Sequence, residues 1–138
     1  MLNAKPALDF VYTDEDKLTP EGQRQEPFFK PDWSPDLLRS MNYIGHFSVI
    51  RRSIVQELGG FTEGLEGSQD YDLFLRVSEK TQHIGHIAKP VYSWRQIPGS
   101  TAGNPEAKPY AHEAGRRALQ AHLDRQNIAG EVVDGIML

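Results

Sequence analysis

An α/β fold is predicted by three patterns in this chain of 138 residues. Leu8, Phe10 and Tyr12 alternate with Asp9, Val11 and Thr13, the period of a half-buried strand. Two longer stretches, "QDYDLFLRVSEKT" and residues 109–126, carry apolar side chains at helical spacing. Short apolar runs that read as strands lie between and before them. Alternating strands and helices specify a layered α/β domain, with some antiparallel pairing where the strands are short. The length suits a single domain over residues 1–138.

Each element has its own signal. The first strand is predicted at residues 8–13, followed by "LTPEGQRQEP", where Pro20, Gly22 and Pro27 mark a polar loop or hairpin tip. Ser34, Pro35 and Asp36 combine an N-cap, a proline at the first helical position and an acid in the first turn, so a short helix runs to about Met41. Residues 44–50 read as a strand, and "SIVQELGGF" as a short helix closed by Gly59 or Gly60. "TEGLEGS" is a loop whose Ser68 is placed to cap the next helix, on which Tyr71, Phe74, Leu75 and Ser78 share a face flanked by Leu73 and Val77. Residues 83–87 and 91–97 give one or two strands, "PGSTAGNPEAKP" a loop, and 109–126 a helix ended by Asn127 and Gly130. The last residues, "EVVDGIML", read as one more strand running off the end. With almost nothing before the first strand either, both termini look like cuts, and an excerpt from a longer protein is expected.

Composition excludes several function classes. A formal charge of -4 argues against a broad nucleic-acid footprint. The absence of cysteine removes disulfides, zinc–thiolate sites and thiol nucleophiles. No apolar run approaches the roughly 20 residues that span a bilayer, and the N-terminus lacks a signal-peptide core. A cytoplasmic location is the expectation.

The chemistry-bearing residues are carboxylates. The first predicted strand ends in Asp14, Glu15 and Asp16. Two readings stand for this triplet: an exposed acidic turn partly neutralised by Lys17, or a grip on a divalent cation. On an extended chain Asp14 and Asp16 point to one side and Glu15 to the other. Paired carboxylates suit Mg²⁺ or Mn²⁺, which complete their shells with water and substrate phosphate. A second cluster holds Asp70 and Asp72. Asp72 reads as an i,i+4 partner of Arg76. Asp70 falls in the first turn of its helix, either complementing the helix dipole or serving as an ionised carboxylate able to take a proton. Gly64 and Gly67 before it let backbone approach a ligand. Trp94 and Arg95, at a strand end, are either core and surface residues or contacts for a ring and an anion. The five histidines have no metal-site spacing: His83 and His86 would face opposite sides of a strand, His46 reads as structural, and His112 and His122 as packing or solvent residues.

Four segments in order, "DFVYTDEDK", "FKPDWSPDLLRSMNYIGH", "GGFTEGLEGSQDYDLFLRVSE" and "VYSWRQIPGSTA", resemble the second half of a family 2 glycosyltransferase with the GT-A fold. The likeness is to bacterial enzymes of surface-polysaccharide synthesis, and it covers roughly residues 7–123. It implies an inverting transfer of a sugar from a nucleoside-diphosphate-sugar donor to a hydroxyl of a glycan or lipid-linked acceptor. It implies Mg²⁺ or Mn²⁺ on the donor diphosphate held by Asp14 and Asp16, with Asp70 as general base. Gly64, Glu66 and Gly67 would border the acceptor, and Trp94 and Arg95 would close over the donor phosphates. Two positions depart from the pattern. Gln69 stands where many relatives have Glu, which removes an acid role there. Ser93 stands near the place of a histidine that sometimes ligates the metal, which puts ligation from this strand in doubt. The family's nucleotide-binding half would precede residue 1. The resemblance therefore implies a partial GT-A fold with little activity alone, exposed strand edges that favour self-association, and peripheral contact of a full-length protein with the inner face of a membrane. Two other functions remain open: a non-catalytic module that binds a glycan or a partner domain, and a metal-dependent phosphoryl hydrolase.

Overall fold

The computed structural model describes residues 3–96 and 109–135. The central strand, β1 (Phe10–Leu18), is longer than expected and carries the acidic triplet inside it rather than beyond its end. The reason is electrostatic. Each acid meets a cation or a donor from another segment, so mutual repulsion does not end the strand: Asp14 meets His86, Glu15 meets Lys30, and Asp16 meets Arg24.

Three strands pair with β1. Its chain turns at Thr19 to Gln23, with Gly22 at φ +85, into β2 (Arg24–Phe28), which runs back antiparallel beside Glu15 to Leu18. The hairpin reading of this segment therefore holds. The other half of the same edge, Phe10 to Tyr12, takes β3 (Ser48–Ile50), also antiparallel. The opposite edge is covered along its whole length by β4 (Ile84–Arg95), which is parallel. An open mixed sheet results. Two short strands had been an option for β4, and it is one strand. Pro90 falls where the register slips between Thr13 and Glu15, a bulge that tolerates a residue without N–H.

The strand expected at 44–50 contracts to β3. The carbonyl oxygens of Ile44 and His46 accept from the Lys30 ammonium instead of a ladder, and Gly45 takes φ +45, outside extended geometry. Between β2 and β3 lies α1 (Pro35–Ser40), where Ser34 Oγ accepts from the Leu37 N–H at 3.3 Å as its sequence predicts. After β3 comes α2 (Arg52–Glu57), followed by Gly59 and Gly60, both at φ +78.

The main layer over the sheet is α3 (Gln69–Lys80), which buries Tyr71, Leu73, Phe74, Leu75 and Val77. Phe74 stacks on Phe10 with ring centroids 5.3 Å apart, and each such side chain contributes about 1.5–3 kcal/mol of burial energy. Asp72 is buried in the expected pair with Arg76 at 2.7 Å. Arg76 extends the link by donating to the carbonyl oxygens of Leu58 and Gly60, tying α3 to the end of α2. Ser68 holds the N-cap position but makes no cap bond. Its hydroxyl donates instead to the Ala111 carbonyl oxygen at 2.7 Å.

That bond docks α4 (Pro109–Arg125) against α3. The interface is lined by small residues, and Ala114 and Ala118 are buried in it. A Cβ on Gly67, whose φ is +91, would lie 2.7 Å from Ala111 Cβ. Residues 131–135 form no strand, contrary to expectation, because the Val132 N–H donates to Gln120 Oε1 on α4 rather than to a sheet. Residues 98–108 of the expected loop and Ile97 of the last strand lie outside the described residues, and Pro109 opens α4. Among the described residues, no helix is long and apolar enough to cross a membrane.

Candidate active site

A cleft of about 700 Å³ opens between the second halves of β1 and β4, the segment before β3 and the N-terminus of α3. Glu15, Asn42, His46, Asp70, Tyr92 and Trp94 line it, with Gly67 at the rim of the α3 side.

Each wall follows from local structure. Asp70 stands in the first turn of α3, beside backbone N–H groups that have no partner within the helix. Its Oδ1 accepts from the Tyr71 N–H at 2.8 Å, and its Oδ2 lies 3.4 Å from Asn42 Nδ2. Glu15 enters from β1. Its Oε2 accepts from the His46 N–H at 2.7 Å and from Lys30 Nζ at 3.1 Å. Gly45 allows this approach, since a Cβ there would sit 3.2 Å from Glu15 Oε2. Lys30 has a fully buried side chain, and burial draws its ammonium below the usual 10.5, with Glu15 and then Asp14 acting in the opposite sense. The ammonium nevertheless has three acceptors, so the pair is hydrogen-bonded throughout. His46 stacks on Tyr92 at 5.0 Å and tilts towards Trp94 at 5.3 Å, which makes one wall aromatic.

The three acids differ in their surroundings. Asp14 and Asp16 are buried and are not among the residues that line the cleft holding Asp70, whereas Glu15 lines it. Asp14 Oδ1 lies 2.8 Å from His86 Nε2 and accepts from the Lys30 N–H at 2.9 Å, while Asp16 Oδ2 accepts from Arg24 Nε. The triplet is therefore not a solvated turn partnered by Lys17 alone; Lys17 pairs with Glu26 at 2.6 Å. Trp94 faces the cleft, but Arg95, paired in register with Leu18, does not line it. Gly64 and Glu66 are exposed and bonded to each other, Gly64 N–H to Glu66 Oε1 at 3.1 Å, and Glu66's own backbone N–H, followed by that of Gly64, holds the Glu66 carboxyl below its usual range. Gly64 also accepts from Arg117 at 2.7 Å.

Four residues of the cleft are not functional candidates on the sequence. Glu15 reads there only as the acid opposite Asp14 and Asp16, and His46 as structural. Asn42, His46 and Tyr92 carry no local signal, because only tertiary packing brings them to Asp70. His86 is a fifth surprise. It faces Asp14, stacks on Tyr12 at 4.8 Å, and is brought there by the parallel register of β1 and β4.

The donor set beside β1 is compatible with a small divalent cation. Asp16 Oδ1 is buried without a hydrogen-bond partner, as a carboxylate oxygen reserved for a cation would be. Among the described residues no three His, Asp or Glu side chains form a complete ligand group. The protein would supply two carboxylates, Asp14 and Asp16, and leave the remaining positions to water and phosphate, the usual manner for Mg²⁺.

No family model matches the chain. It is similar to two longer proteins. Over 127 residues, 91% of this chain, it is 53% identical to a protein of Sinorhizobium fredii (strain NBRC 101917 / NGR234) called uncharacterized protein y4gI. Over 129 residues, 94% of this chain, it is 50% identical to the O-antigen biosynthesis protein RfbC of Myxococcus xanthus. The chain spans only 14% and 10% of the lengths of these relatives.

Proposed function

We propose that this chain is part of the GT-A catalytic domain of an inverting, family 2 type glycosyltransferase acting in cell-surface polysaccharide synthesis. The observation that carries the reading is Asp70. It is a carboxylate at a helix N-terminus on the wall of a cleft whose other wall is aromatic, while two further carboxylates, Asp14 and Asp16, are buried on β1 outside that lining. Half identity to a protein named for O-antigen biosynthesis supports the polysaccharide role.

In the reaction, Asp70 Oδ2 takes the proton of the acceptor hydroxyl. The oxygen attacks the anomeric carbon from the face opposite the departing diphosphate, a C–O bond forms as the old one breaks, and the configuration inverts. The leaving diphosphate carries away the bonding electron pair. Asp14 and Asp16 would hold Mg²⁺ or Mn²⁺, which when bound supplies positive charge to the leaving diphosphate. Trp94 packs against the sugar or base, and Arg95 takes a phosphate oxygen.

Mn²⁺ binding followed by electron paramagnetic resonance, with and without a nucleoside diphosphate, tests both halves of this reading in the longest polypeptide that carries the chain. Asp14→Ala and Asp16→Ala should lose the bound-metal signal. Asp70→Asn should keep it and lower sugar transfer by at least about 100-fold. Unchanged transfer by Asp70→Asn refutes the assignment of the base. Unchanged metal binding by both β1 variants refutes the metal site.

A further inference from the structure

Three buried side-chain polar atoms lack a hydrogen-bond partner among the described residues: Asp16 Oδ1, Asn42 Oδ1 and His46 Nδ1. Two of the three belong to residues lining the Asp70 cleft. Buried polar atoms are paired as a rule, and those left unpaired collect where a ligand completes them. His46 Nδ1 stands 3.8 Å from Glu15 Oε2, beyond hydrogen-bonding reach, so none of the described residues satisfies it.

Asn42 is the more informative of the two. It follows directly on Met41, the C-cap of α1, and lines the cleft together with Asp70 at the N-terminus of α3. Its amide nitrogen faces Asp70 Oδ2 at 3.4 Å, which settles the orientation of the amide: the reverse orientation would put oxygen against the carboxylate. The long contact is typical of a catalytic hydrogen bond before its ligand arrives, one that shortens in the complex. As it shortens, the amide nitrogen restrains one carboxylate oxygen while the Tyr71 N–H restrains the other. The amide oxygen is then left to accept a hydrogen bond from the ligand itself.

We infer that Asn42 both positions the Asp70 carboxylate and reads a second hydroxyl, adjacent to the one Asp70 addresses, so that the cleft selects a pyranose with two vicinal hydroxyls. One hydroxyl donates to Asp70 Oδ2, and its neighbour donates to Asn42 Oδ1. The ring's apolar face lies against the stacked His46 and Tyr92 rings, whose centroids are 5.0 Å apart. This rests on the proposed acceptor role of the cleft and adds to it the feature of the acceptor that is recognised.

The test titrates the full chain with a panel of methyl hexopyranosides and their monodeoxy analogues, observed by ¹H–¹⁵N correlation spectra. For one parent sugar, the Asn42 side-chain NH₂ pair should shift together with the Asp70 and Gly67 amides. The analogue lacking the neighbouring hydroxyl should bind about tenfold more weakly and leave the Asn42 pair unmoved. Asn42→Ala should bind parent and analogue equally, a loss of discrimination that a merely structural residue would not produce. The wild-type Asn42 resonances answer the question even where the variant does not fold. Sugars that shift Gly67 and the Trp94 indole but never Asn42, or an Asn42→Ala variant that still discriminates, overturn this inference and leave the acceptor reading intact. A panel in which no sugar shifts any cleft resonance overturns both.

Discussion

Replacing Lys30 by methionine should cost this chain about 3–5 kcal/mol, because it breaks a buried ion pair from one side. The Lys30 side chain is fully buried and Glu15 is only 14% exposed, so solvent offers little to the carboxylate left behind. Glu15 would keep only the His46 N–H at 2.7 Å, and the carbonyl oxygens of Ile44 and His46 would each lose a charged donor. Against a total stability of about 5–15 kcal/mol for a single domain, that is a large share. With a urea dependence of about 2 kcal/mol per molar, the unfolding midpoint should fall by about 2 M at an unchanged slope. Glu15→Gln in the same chain should recover part of the loss, since an uncharged amide tolerates the site better, and the double-mutant cycle should show at least about 1 kcal/mol of coupling. Urea unfolding followed by tryptophan fluorescence measures all four proteins. A midpoint shift below about 0.5 M for Lys30→Met would show that Lys30 does not hold Glu15, and with it the β1 wall of the cleft would lose its physical basis.

Two further expectations come from the α3–α4 interface. Gly67→Ala introduces a Cβ 2.7 Å from Ala111 Cβ and 2.9 Å from Tyr110 at a φ of +91, so it should destabilise by about 2–4 kcal/mol in thermal or urea unfolding; a loss under about 0.5 kcal/mol would refute the close approach of α4. Glu79 accepts from Arg125 at 2.8 Å and lies 2.7 Å from His122 Nδ1. Burial alone would raise its carboxyl, but the hydrogen bonds from Arg125 and His122 outweigh it and hold the group below the usual 4.5. The folded chain thus binds this proton less readily than the unfolded one, so the contribution is complete above 4.5 and is lost as pH falls through the folded value. Glu79→Gln should cost about 1–2 kcal/mol at pH 7, discounted for the partly exposed Arg125, and its unfolding midpoint should converge on wild type in acid. A constant gap down to pH 3 would refute that linkage.

Local signals in the sequence determined the helices and the start of the central strand. Ser34-Pro35 starts α1, the spacing of Tyr71, Phe74 and Leu75 sets the buried face of α3, and the alternation over residues 8–13 marks where β1 begins. These depend on capping chemistry and on periods of 3.6 and 2, which act within a few residues. Asp70 was legible for the same reason, as an acid in a first helical turn. Tertiary structure alone decided that β1 continues through its acids, because their partners Lys30, His86 and Arg24 come from three other segments. It alone decided that one strand, β4, covers the whole edge of β1, and that Glu15, Asn42, His46 and Tyr92 meet Asp70 across a cleft. Contacts between residues tens of positions apart leave no periodic trace along the chain; they exist only once sheet register and helix docking have brought the segments together.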